Sequence, residues 1–120
     1  MHEGDGSKPP RFAHETERAL SRVLDAHGIA WLYEPHTFVL DRGADGSVTR
    51  AFTPDFYLPE VGLYLECTVA RRCLLTRKRS KVRAARRLYG IVVEIVYRSD
   101  FENLARRWSL GELEQALAEG

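Results

Sequence analysis

Three carboxylates stand where hydrophobic neighbours would ordinarily exclude them. Glu17 falls in the apolar register of a helical segment, three residues before Leu20 and seven before Leu24. Asp55 follows Pro54 and is flanked by Phe52, Phe56 and Tyr57, and Glu66 sits inside the run LYLECTV at 63–69. Carboxylates in such places are costly unless they are paired or hold a metal. An all-oxygen set suits Mg2+ or Mn2+, the hard cations that phosphodiester hydrolysis uses to activate water and stabilise a leaving oxygen. Plainer roles stay open: Glu17 as a first-turn residue facing the helix dipole, and Asp55 as a turn former after proline. Glu66 is the hardest to explain that way, because acids in mid-strand among leucines are uncommon.

Charge adds a second signal. The 120 residues carry 18 Lys and Arg against 17 Asp and Glu, a net charge of +1. Yet Arg71, Arg72, Arg77, Lys78, Arg79, Lys81, Arg83, Arg86 and Arg87 all fall between Cys67 and Gly90, with no acidic residue among them. Such a block marks a polyanion-binding surface, the plainer alternative being a solvated helix face. Only three lysines occur, at 8, 78 and 81, against 15 arginines. Two ammonium groups three residues apart hint at a need for that group there.

These residues need elements to position them. The length fits one domain, and the 44% hydrophobic content excludes wholesale disorder. No apolar run is long enough to span a membrane, and two cysteines are too few for a disulfide scaffold. Residues 1–11 read as a polar, flexible leader rather than a signal, which leaves a cytoplasmic domain at 12–120 as the expectation. Helical spacing covers 12–27, with Gly28 as its stop. Strand character covers 29–33 and 38–40; Asp45-Gly46 turns the chain into a partner strand at 48–52. Residues 53–59, bounded by prolines, belong at a sheet edge or strand end. Residues 63–69 form a strand with Leu63, Leu65 and Cys67 on one face and Tyr64, Glu66 and Thr68 on the other. A basic helix at 74–89 ends at Gly90, and the β-branched run 91–97 reads as a central strand covered on both faces. Those last two strands should be parallel, joined by the basic helix. Two short helices, at 100–108 and 109–118, follow, the second with Ser109 and Glu112 as a capping box. The expected class is α/β, an αβββαβ core with a mixed central sheet flanked by helices.

At this point the chain resembles the PD-(D/E)xK nuclease superfamily. Pro54-Asp55 is followed eleven residues later by Glu66, on paired strands that precede a helix. Glu17 with its helix, Gly28-Ile29, Tyr33-Glu34-Pro35 and the segment FTPDFYLP (52–59) are similar to phage junction-resolving and TnsA-type transposon endonucleases. The resemblance implies a restriction-endonuclease-like domain that cuts DNA with Mg2+ or Mn2+, selecting branched or otherwise structured DNA rather than a base sequence. It implies Asp55, Glu66 and the backbone carbonyl of Cys67 as metal ligands, with Glu17 as the acid from the first helix. The nine basic residues would hold the phosphate backbone. Cutting both strands would take a homodimer.

The departure is at residue 68, where the superfamily has lysine and this chain has Thr68. Thr68 shares a strand face with Glu66 but carries no charge. Either Lys78 or Lys81 reaches back from the following helix, or the site is inert. The inert case would leave a domain that binds DNA or a protein partner. A third case is a nuclease subunit active only within a larger repair or mobile-element complex. Elsewhere, Glu94 is given no chemistry, Cys67 and Cys73 read as buried free thiols, and Trp31, Tyr33 and Phe38 read as core. The histidines at 2, 14, 27 and 36 are scattered and read first as surface or satisfied core residues, with lining of the site the lesser alternative for His14 and His36.

Overall fold

Helix α1 (Glu15–Ala26) buries Glu17, Leu20, Ser21 and Leu24, the i, i+3, i+4, i+7 stripe expected of an amphipathic helix. It stops where Gly28 takes a left-handed φ of 68° that other residues adopt only at a cost. A computed structural model of the chain describes residues 12–68 and 72–109, with the backbone alone at 72–74. The leader at 1–11 and the stretch 110–120 lie outside the described residues.

Six strands follow α1: β1 (Leu32–Tyr33), β2 (Phe38–Arg42), β3 (Val48–Phe52), β4 (Phe56–Leu58), β5 (Leu63–Thr68) and β6 (Val93–Tyr97). Helix α2 (Arg72–Tyr89) joins β5 to β6. A 3-10 turn (Arg98–Asp100) leads into helical residues 101–109. The molecule is a mixed α/β protein with two sheets. One has strand order β1-β4-β5-β6 and the other is the β2-β3 hairpin. Within the first sheet β4 and β5 run antiparallel, whereas β5 and β6 run parallel. The expected parallel pair joined by the basic helix is present.

Several expectations need correction. The expected strands at 38–40 and 48–52 do not join the central sheet, because β2 and β3 pair only with each other among the described residues. The proline-bounded segment takes the strand-end place of its two expected ones: Pro54 and Pro59 lie just outside β4, which is internal to the sheet, so no ladder hydrogen bond is lost. Strand β6 sits at the sheet edge, and β5 is the strand covered on both faces, with all six residues buried. The expected first strand is shorter than 29–33: Trp31 forms an isolated bridge, Leu32–Tyr33 pair with β4, and Glu34 then turns the chain with φ 46°. Ser109 is the last described residue of the preceding helix and its hydroxyl donates back to the Ala105 carbonyl at 3.0 Å; the rest of the expected helix at 109–118, with Glu112, lies outside the described residues.

Two hydrophobic layers hold β5. Leu63, Leu65 and Cys67 pack with Leu20, Leu24, Trp31, Phe56, Val96, Phe101 and Leu104 on the α1 side. On the other side Tyr64 packs with Leu40, Phe52, Ala84, Ala85 and Val93 beneath α2. Arg50 of β3 ties the hairpin to α2 by donating to the Ser80 hydroxyl at 2.6 Å. This sandwich places the carboxyl end of β5 between the start of α1 and the first turns of α2. Among the described residues no helix is long and apolar enough to cross a membrane.

Candidate active site

A cavity of about 640 Å3 opens at that end of β5, lined in part by Glu17, Asp55, Glu66, Cys67, Thr68 and Lys78. Each element delivers its residue for a local reason. Glu17 occupies a buried position of α1, 3% exposed, and the Tyr33 hydroxyl donates to its Oε1. Asp55 lies in the bend before β4, where its carbonyl accepts from the Glu34 N–H at 2.9 Å. Its Oδ2 accepts the Cys67 N–H at 2.8 Å. Glu66 and Thr68, two apart on β5, are 9% and 4% exposed. Sequence placed them on one face, and both line this cavity.

Lys78 Nζ donates to the Cys67 carbonyl and lies 3.5 Å from Glu66 Oε2. Lys81, one turn further along α2, does not line the cavity. The exposed arginines Arg79, Arg83, Arg86 and Arg87 recur at helical spacing on the solvent face of α2, and Arg77 is exposed beside them in sequence. Arg72 begins the helix with its side chain undescribed, and Arg71 lies outside the described residues.

Burial and crowding set the charge state. Desolvation, then the neighbouring Asp55 charge, pushes the Glu66 carboxyl up to about 8, although Lys78 opposes the rise. Asp55 is pushed up to about 6, chiefly by desolvation, with the charges of Glu17 and Glu34 adding to it. Burial followed by the surrounding carboxylates pushes the Cys67 thiol up, which makes it inert as a nucleophile. Both shifts favour the protonated carboxyls: Lys78 lowers the cost of charging two buried acids here but does not cancel it.

Whether a divalent metal fits can be read from the donors. Glu66 Oε1 is buried and has no hydrogen-bond partner. Beside it are the Asp55 carboxylate and the Cys67 carbonyl, so the donors are all oxygen. Among the described residues no three His, Cys, Asp or Glu side chains close into a ready cage. Mg2+ needs none, because it is held by one or two carboxylates and keeps water or substrate oxygens as its other ligands. The orphaned oxygen and the raised carboxyls fit such an ion.

Two residues of the site carry no role in the sequence reading. Glu34 lines the cavity, and burial together with the Glu17 charge raises its carboxyl. Tyr33, read as core, holds Glu17 and accepts the Ala13 N–H at 3.2 Å. The one signal for either was their place in the Tyr33-Glu34-Pro35 segment. His14 does line the cavity, whereas His36 bonds the Tyr64 hydroxyl at 2.8 Å. His27 pairs with Glu102 at 3.0 Å. Compared with protein-family models, curated proteins and solved structures, the chain matches none of them.

Proposed function

We propose that this domain is a metal-dependent endonuclease of restriction-endonuclease-like fold that hydrolyses DNA phosphodiester bonds, selecting strand structure rather than base sequence. One contact set carries the reading. The Lys78 ammonium lies on the Glu66 carboxylate and the Cys67 carbonyl, while the N–H of residue 67 holds Asp55. An acid pair and an ammonium facing one cavity suit attack by water on a phosphodiester, which needs a positioned nucleophile and compensation of growing negative charge.

Asp55, Glu66 and the Cys67 carbonyl would hold Mg2+ or Mn2+, with Glu17 adding negative charge nearby. When bound, the ion would supply Lewis acidity and make a bound water easier to deprotonate. The chain's own groups do the rest. Lys78 orients the attacking water and offsets charge on the non-bridging phosphate oxygens. Glu66 Oε1, unpartnered within the protein, is an acceptor open to a water proton. Thr68 supplies an uncharged wall where the superfamily has its lysine. Arg79, Arg83, Arg86 and Arg87 engage the phosphate backbone, giving salt-sensitive binding with little sequence preference.

The test is cleavage of branched, nicked and linear DNA with Mg2+ or Mn2+. Asp55→Ala, Glu66→Ala and Lys78→Ala should each lose at least about 100-fold in rate with DNA binding retained, and Lys81→Ala should not. Binding without cleavage by the wild type on every substrate would sink the enzyme. That result would favour a non-cutting domain that binds DNA or a protein partner, which Thr68 in the lysine position supports.

A further inference from the structure

Lys78 and a divalent ion have the same two partners. The ammonium takes the Cys67 carbonyl and sits 3.5 Å from Glu66 Oε2, two of the three donors assigned to the metal. The third donor, Asp55, is held from its other side by the Cys67 N–H and does not need to move. The remaining Glu66 oxygen stays buried without a partner. One positive charge is therefore shared among several carboxylates, and it lies on the carbonyl that a harder cation would take.

We infer that Lys78 is a built-in counter-cation that a divalent metal must displace from the Cys67 carbonyl when it loads. The inference rests on the reading of this cavity as a metal site and adds how that site is regulated. Without metal, the ammonium keeps the carboxylates from standing unbalanced in a buried cavity. On loading, the metal takes over that role. The lysine, on its flexible stem, swings into the cavity, where water and phosphate would meet it. Delivery of the ammonium to the reaction space is then coupled to occupancy of the metal site. Thr68 is consistent with this arrangement: a lysine fixed at residue 68 of the strand would have no carbonyl to leave.

The test measures metal binding without nucleic acid. Mn2+ is titrated calorimetrically into the wild type, Lys78→Met and Lys81→Met, with thermal unfolding of each followed with and without Mn2+. Displacement requires Lys78→Met to bind Mn2+ about tenfold tighter or more. Lys81→Met, which removes the same charge one turn away, should change affinity less than about twofold. Lys78→Met should also melt lower than wild type without metal and recover with it. Equal or weaker binding by Lys78→Met overturns the inference, as does equal tightening by Lys81→Met, which would mean a general field. No Mn2+ binding by any of the three proteins overturns the metal reading itself. Cleavage is not read, so a failure of the nuclease activity alone leaves the displacement result legible.

Discussion

Replacing Glu66 by glutamine asks whether the centre of this site is held at an energetic cost. Burial and the Asp55 charge raise the Glu66 carboxyl from 4.5 to about 8. Between those values the folded chain keeps a proton that the unfolded chain releases, so metal-free stability falls as pH rises through that window. At about 1.4 kcal/mol per pH unit, the difference sets a ceiling of about 4–5 kcal/mol. Glutamine removes the charge and nearly preserves shape, but its amide lands where Oε1 has no partner, which costs about 1–3 kcal/mol. The variant should therefore be more stable than wild type by about 2 kcal/mol near pH 8 and less stable near pH 4.5, so that the two curves cross. Urea unfolding in chelator across that range reads the crossing. A Glu66→Gln that is less stable at every pH would refute the reasoning, because Lys78 would then already neutralise the carboxylate fully.

Other perturbations probe the surrounding parts. Metal affinity should climb as pH rises past about 6 and on toward about 8, as Asp55 and then Glu66 lose their protons; a flat Mn2+ titration over that range would contradict the site. Tyr33→Phe removes the donor to the buried Glu17 carboxylate and the acceptor for the Ala13 N–H, and should cost about 1–3 kcal/mol in urea unfolding. Arg83→Ala should weaken DNA binding similarly on all sequences and lower the salt slope by about one, measured by fluorescence anisotropy at several salt concentrations. Leu65→Ala, at a fully buried position between β4 and β6, should cost about 2–5 kcal/mol.

Periodicity made the helices and the faces of β5 legible. The 3.6-residue stripe ending at Gly28, and the alternation that puts Glu66 with Thr68, are local properties of the chain. Sheet order was not legible, because it depends on which distant strands meet. The β-branched run of β6 suits a central strand, yet β5 takes that place because α1 and α2 cover its two faces. The choice between Lys78 and Lys81 was open for a similar reason. Both fall on the inward side of α2, about 60° apart around the axis, and only the docking of the helix selects one. Glu34 escaped notice because nothing in its type announces a left-handed backbone before proline. The acids themselves were the most readable part, since each violates the apolar pattern around it.

Residue 67 holds both halves of the site through its peptide atoms, N–H to the acid and carbonyl to the ammonium, while its side chain faces the opposite core. The chemistry at this position is therefore encoded by strand alignment and is indifferent to the amino acid's identity. Any small apolar residue could stand there without disturbing the carboxylates. Inserting or deleting a single residue in β5 upstream of it would send the glutamate into the α1 layer and dismantle the site at once. A lineage could thus vary this residue freely and still never shift its frame.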